Sequence, residues 1–420
     1  MSKSATADLD AGGAVSATGA ALNPGVAVQV ADAAARGYRG NILEPGSFPL
    51  GRPRRSVIVT ERDSRPMNCR DLICVGKRMA RPVPCDIARG RVVKAICLGL
   101  VLSWALAPAS GAELNVAAIN SAEPSARTLS ADKPTPAGIR LQALLDRAHF
   151  SPGEIDGKFG ENAKKALRAY TEAQNLPSSD KLTEEVWKRL AADDRPVIAN
   201  YTIAEKNVSG PFLHKLPAKM EEMQDIPKLS YTSAREALAE KFHMGEQLLA
   251  TLNPGTRFDR PGDTILVVDT VGGQTKNSAK ADRVEVDKSR QTVKLFDKSN
   301  FLIGFYPATV GSEEKPSPTG TLKVTEISHN PTYRYNPDYH FKGVHSRKSF
   351  EIRPGPNNPV GTVWISLSAE GYGIHGTPSP GKVSKAESHG CVRLTNWDAK
   401  RLASRVSKGI PVAFVDHPPS

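Results

Sequence analysis

The sequence predicts a multidomain α+β chain: an all-β sandwich closed by one C-terminal helix, preceded by a small three-helix domain and a small α+β module. Three observations lead there. The chain has 420 residues, too many for one compact core. Its apolar residues recur at three- and four-residue spacing between Ile139 and Leu190, then adopt a period of two from Arg283 onward. Glycine and proline number 34 and 32, near average usage, which removes collagen-like and globally disordered readings.

Charge narrows the function classes. The net charge is +12, but residues 1–112 hold 15 Lys/Arg against 8 Asp/Glu, so more than half of the excess lies in the first quarter of the chain. The remainder is nearly balanced and does not single out a nucleic-acid partner. Hydrophobic residues at 39% and aromatics at 6% fit ordinary small cores, not a polytopic membrane protein.

The N-terminal part reads as a targeting region. Arg89, Arg91 and Lys94 precede an apolar run over residues 95–107. That run is shorter than the roughly 20 residues of a spanning helix and matches the core of a signal peptide. Ala107-Pro108-Ala109 and Ser110-Gly111-Ala112 offer small-residue cleavage sites. Export, with no stable membrane span after cleavage, to the periplasm or cell wall is therefore expected. Residues 1–88 read as a disordered or mis-assigned extension, with Met79 as the expected start of translation, and residues 89–112 as the signal. An uncleaved signal-anchor with a disordered tail is the other reading.

Residues 113–136, rich in Ala, Ser, Pro and Thr, read as a linker. Residues 137–192 carry three amphipathic patterns: Leu141, Leu144 and Leu145; then Ala163, Ala166, Leu167 and Tyr170; then Val186, Trp187 and Leu190. Between the first two lies the glycine-rich turn Ile155-Asp156-Gly157-Lys158-Phe159-Gly160. A second linker is expected over 193–228, and a strand–helix–helix–strand module over 229–270, opening at Tyr231 and ending in Thr264-Ile-Leu-Val. From 282 to 416 short strands alternate with Asp/Lys/Ser turns. One helix is expected over Asn396–Ser407, capped by Thr395 and stopped at Gly409. The irregular stretch 329–360 is either a lid or a surface loop.

The chemistry concentrates in Ile374-His375-Gly376-Thr377 and Ser388-His389-Gly390-Cys391-Val392-Arg393. Cys391 is the one cysteine after residue 97, following Cys69, Cys74, Cys85 and Cys97, which is no disulfide framework. A thiol with a pKa of about 8.5 needs a base to attack a carbonyl, and an imidazole can leave a thiolate–imidazolium pair. His375, at the end of an apolar strand, is the expected base, and His389 an orienting or substrate-contacting group. Gly376 leaves a carbonyl free to hold the second ring nitrogen of His375. The amides of Gly390 and Cys391 would form an oxyanion hole. Ser388 and Arg393 are assigned to the substrate, the guanidinium suiting a carboxylate. A metal site built from His329, His340, His345, His375 and Cys391 has irregular spacing and no H-E-x-x-H helix, so no metal and no cofactor are expected.

Ser388-His-Gly-Cys-Val-Arg-Leu394, preceded by Ile374-His-Gly-Thr, resembles the signature of the L,D-transpeptidase catalytic domain. Val310-Gly311, Pro318-Thr-Gly320 and Pro354-Gly-Pro-Asn-Asn358-Pro-Val-Gly361 extend the resemblance over 282–416. It implies a β-sandwich, Cys391 as nucleophile, His375 as base, and acylation of the cysteine by carbapenems. The implied reaction cross-links the diamino acids of peptidoglycan stem peptides. Water as acceptor would make the same site an L,D-carboxypeptidase, and a lipoprotein amine would make it an attachment enzyme; an inactive wall-binding protein is the reading from another class. Leu141-Gln142, Ile155-Asp-Gly-Lys-Phe-Gly160 and Trp187 make residues 139–190 similar to a peptidoglycan-binding domain. The module at 229–268 looks like a diverged lysin motif, which binds glycan strands, or a structural neck.

Overall fold

The computed structural model describes residues 114–270, 279–339 and 344–418. The extension and the signal segment of residues 1–112 lie outside them, as do His340 and the four early cysteines. Among the described residues no helix is long and apolar enough to cross a membrane.

The helical region begins with α1 (Val116–Asn120), capped by the Asn115 carboxamide and burying Ile119. This departs from the expectation of a plain linker over 113–136. The side chain of Asn120 accepts from the amides of Val197 and Ile198, which holds the segment down. Helix α2 (Pro136–Arg147) starts where its sequence says it should: Pro136 occupies the first turn, and Thr135 Oγ1 accepts from Gly138 N–H at 3.0 Å. Helices α3 (Glu161–Ala173) and α4 (Glu184–Leu190) complete the three-helix pattern. Gln142, buried on α2, clamps the glycine turn by accepting from Asp156 and Gly157 N–H and donating to Lys158 O. Gly157, at φ +77°, leaves no room for a side chain, since a Cβ would stand 2.9 Å from both Ile139 and Pro134.

The second linker and the module that follows differ from expectation. Strand β1 (Ile198–Thr202), then α5 (Glu205–Val208) and a 3-10 turn (Met220–Asp225), occupy the stretch read as linker. Helices α6 (Ala234–Lys241) and α7 (Glu246–Leu252) lead to β2 (Thr264–Val268), and β2 pairs antiparallel with β1. The strand expected at Tyr231 is therefore displaced to residue 198. The physical reason lies in hydrogen bonding: Leu229 donates to Pro354 O and accepts from Asn357 N–H, so this extended stretch is tied to the β domain instead of β2.

The β domain contains β3 (Arg283–Asp287), β4 (Thr292–Phe296), β5 (Leu302–Pro307), β6 (Gly320–His329), β7 (Tyr333–Tyr335), β8 (Phe350–Ile352), β9 (Val363–Leu367), β10 (Gly373–His375), β11 (Val392–Arg393), α8 (Asn396–Arg405) and β12 (Pro411–Val415). Eight strands form one curled sheet in the order β11-β10-β9-β6-β12-β3-β4-β5. The long β6 makes the curl. Its first residues pair with β12 and its last with β9, with a register shift between Val324 and Glu326 where the strand turns the corner. Helix α8, capped by Thr395 Oγ1 on Asp398 N–H, packs Ala399, Leu402 and Ala403 into the sheet's core.

Adjacent charges at the end of α2 tie the parts together. Asp146, fully buried, receives both ends of the Arg401 guanidinium at 2.6 and 2.8 Å and lies 3.1 Å from His243 Nδ1. Arg147 donates to the carbonyls of Pro196 and Asp269, which flank β1 and β2. His149 to Ser151 run beside β5, with Ser151 N–H on Phe305 O and Phe305 N–H on His149 O. One apolar cluster consequently runs from α2 and α3 through α6, α7 and β2 to Phe296, Leu302 and Phe305 of the sheet.

Candidate active site

Strand pairing arranges the site in two rows. His375 stands opposite Arg393 on one side and Trp364 on the other, and Trp364 stands opposite Ser328. Cross-strand partners share a face, so these four side chains form one row. Gly373 pairs with Ser366 and Ser366 with Glu326, which gives the neighbouring row. Cys391 lies one residue before β11 and extends this second row past Gly373, with its thiol donating to Gly371 O at 3.5 Å. The burial alternation in β9 agrees: Val363, Ile365 and Leu367 face the core, while Trp364 and Ser366 face outward.

Above these rows lies a cleft of about 550 Å³ lined by His375, Cys391, Arg393, His389, Trp364 and Tyr372, with Lys315, Tyr333, Arg334 and Met220 at its sides. His375 is 3% exposed, its ring stacked on the Trp364 indole at 5.3 Å between centroids and 20° between planes. Its Nδ1 lies 2.6 Å from the carbonyl of Gly376, a bond that assigns the proton to Nδ1 and leaves Nε2 as the acceptor nitrogen. Gly376 must be glycine, because a Cβ there would stand 2.2 Å from Asn396 Oδ1. Asn396 in turn accepts from Thr362 N–H and donates to Glu240 and the carbonyl of Pro356, so the first residue of α8 holds the loop behind the imidazole.

The electrostatics favour neutral groups at rest. Burial, assisted by the Arg393 charge, pushes the His375 imidazole down to about 3, against the opposing pull of the Gly376 carbonyl. Burial also pushes the Cys391 thiol up, with the Gly373 N–H and Arg393 acting the other way. Both surroundings disfavour charge, which works against the expected thiolate–imidazolium pair, and the thiol itself donates to Gly371 O at 3.5 Å. His389 is lowered by burial, then by Arg393 and Lys315. Arg393 donates to the carbonyl of Glu387 at 3.3 Å while lining the cleft.

Two residues assigned from the sequence make their own bonds within the turn. Ser388, assigned to the substrate, is 3% exposed, and its hydroxyl braces its own turn by donating to Cys391 O at 2.5 Å and accepting from Gly390 N–H at 3.2 Å. It does not line the cleft. The same bond turns the Gly390 amide, assigned to the oxyanion hole, toward Ser388. Gly390 adopts φ +105°, a side chain there would stand 2.9 Å from the Tyr372 ring, and its carbonyl accepts from Ser317 Oγ at 2.8 Å. Its positive φ and lack of a side chain let the chain turn just before Cys391. Trp364 and Tyr372 were missed. The apolar–polar alternation of Val363-Trp-Ile-Ser-Leu367, with an indole on the polar face, was the available signal for Trp364. Among the described residues no group of three or more His, Cys, Asp or Glu could hold a metal ion.

Residues 281–413 match the family model of the L,D-transpeptidase catalytic domain, and residues 137–190 that of a peptidoglycan-binding domain. Among curated relatives, a Bacillus licheniformis protein named as an L,D-transpeptidase (YkuD) is 28% identical over 181 residues, spanning 43% of this chain and 92% of that protein. YqjB of Bacillus subtilis, similarly named, is 32% identical over 122 residues, spanning 28% of this chain and 62% of the relative. YbiS of Escherichia coli K12 is 30% identical over 198 residues, spanning 44% and 61%. The chain therefore covers less than two thirds of the latter two.

Proposed function

We propose that this chain, which carries an L,D-transpeptidase catalytic domain over residues 281–413 and a peptidoglycan-binding domain over 137–190, is an exported enzyme that cross-links peptidoglycan stem peptides through an acyl group on Cys391. The observation that carries the mechanism is the His375 ring, whose Nδ1 is committed to the Gly376 carbonyl while the ring shares the cleft with Cys391.

The chemistry follows from the protonation states. Nε2 of His375 takes the thiol proton as sulfur attacks the carbonyl between the diamino acid's L-centre and the terminal D-residue, so deprotonation and C–S bond formation proceed together. The carbonyl electron pair moves to oxygen, returns, and expels the D-residue, whose amine leaves with the proton from the imidazolium. A thioester remains. An amine from a neighbouring stem attacks it, His375 accepts that amine's proton, and the thiolate leaves and is reprotonated. Trp364 covers the imidazole and excludes water from one of its faces. Arg393 offers a planar fork to a substrate carboxylate. Glycan-strand binding by the 229–270 module, and action in the periplasm or cell wall, extend the same reading.

The test is incubation of the full chain with purified disaccharide tetrapeptide, with products resolved by mass. Cross-linked dimer is expected, with Cys391→Ala abolishing it and His375→Gln lowering its rate by roughly 10²–10⁴. Tripeptide alone would move the reading to hydrolysis, and loss of neither product in Cys391→Ala would overturn it.

A further inference from the structure

The cleft has a wall that the catalytic domain does not supply. Met220 belongs to the 3-10 turn Met220–Asp225, outside both 137–190 and 281–413, yet it lines the cleft together with Cys391 and His375. The segment carrying it is held by two independent sets of contacts. Leu216, Met223 and Ile226, together with Met220 itself, pack against the apolar cluster of Tyr335, Phe350 and Ile352 of the β7–β8 hairpin. One carboxylate oxygen of Glu221 accepts from the backbone N–H groups of His345 and Ser346, at 2.5 and 3.2 Å. Burial of an apolar cluster against the hairpin fixes the segment, and a charged acceptor on two amides fixes its register.

We infer that Met220 is a specificity-determining residue of the transpeptidase cleft, contacting an aliphatic part of the bound stem peptide away from the amide that is broken, and that Glu221 is the positioning residue that holds it there. The inference rests on the function proposed above. Tyr333 and Val344, which pack on the same apolar cluster as Met220, also line the cleft, while its charged lining (Lys315, Glu326, Arg334, Glu370 and Arg393) comes from the catalytic domain. A thioether among an aromatic ring and a branched aliphatic suits methyl and methylene groups. Such a contact is made equally in the ground and transition states, so removing it weakens binding and spares turnover.

The experiment uses the full chain with disaccharide tetrapeptide, and iodoacetamide as a small probe of Cys391. Met220→Ala is expected to raise KM roughly tenfold with kcat kept, while Met220→Leu stays near wild type and alkylation of Cys391 is unchanged in both. Glu221→Ala is expected to raise KM similarly, and Glu221→Gln, which keeps an acceptor oxygen for the two amides, to recover most of the loss. An unchanged KM in Met220→Ala would overturn the inference. So would a KM increase matched by slower alkylation or a fall in kcat, because Met220 would then be general scaffolding. Absence of turnover in the unsubstituted chain would overturn the function itself and with it this inference.

Discussion

At the scale of single residues, the central feature is a thiol and an imidazole whose surroundings both disfavour charge. His375 is buried beside Arg393, so its protonation costs more than in water, and Cys391 is held as a thiol by the same low-dielectric surroundings. Cys391 reactivity toward iodoacetamide should therefore climb steadily as pH rises above the ordinary thiol range, with no plateau near neutrality. A plateau at or below pH 7, measured by mass spectrometry of the alkylated chain, would reveal a preformed thiolate. The same depression has a stability consequence. The unfolded imidazole titrates near 6.5 and the folded one near 3, so this group's contribution is fully present above about pH 6.5 and is lost as pH falls toward 3. The identity of these two residues was legible because each sits in a short distinctive run, Ile374-His-Gly-Thr377 and Ser388-His-Gly-Cys391, close together in sequence. Trp364 was not, because its partner ring arrives from a neighbouring strand through cross-strand pairing.

At the scale of elements, buried charge decides how helices and sheet are joined. Asp146 on α2 is held well below the usual carboxylate range by Arg401 and His243, against the opposing effect of burial. Asp398 on the same helix as Arg401 is pushed the other way, up to about 7, by burial and by the Asp146 charge. Asp398 Oδ2 accepts from the Ser151 hydroxyl at 2.9 Å. Asp146→Ala would leave a guanidinium with 11% exposed side chain and only the more distant Asp398 carboxylate, at 3.9 Å, in place of the two-pronged pair. The expected cost is about 3–5 kcal/mol in chemical denaturation, while alkylation of Cys391 in the folded protein stays unaltered. A change under 1 kcal/mol would mean that Arg401 finds another partner, and that this pair does not hold the helices to the sheet. Most helices and strands of this region were readable from periodicity, and α8 with its Thr395 cap came within two residues of its observed end. The segment 193–228 was not readable. Its apolar residues, among them Leu213, Leu216, Met220 and Ile226, follow no helical or strand period because they pack on a hairpin more than a hundred residues later.

At the scale of the whole described molecule, the modules do not behave as beads on linkers. The cluster that starts at Ile119 and Ile139 ends at Phe305 on the edge strand of the sheet, and Asn162 and Lys165 of α3 bond to Val383 and Ser384, in the loop between His375 and Cys391. The helical region thus supports the loop that folds the chain back between imidazole and thiol. Sequence composition signalled linkers at 113–136 and 193–228, since short polar stretches with prolines look alike whether or not they are pinned by distant side chains. The most direct measurement of the account is to trap the acyl-enzyme: the full chain is mixed with disaccharide tetrapeptide, quenched in acid, digested and mapped by mass. The account predicts a tripeptide acyl group on Cys391, with one D-residue released for each group attached and no adduct in Cys391→Ala. An adduct on another residue, or release of the D-residue without Cys391, would contradict it.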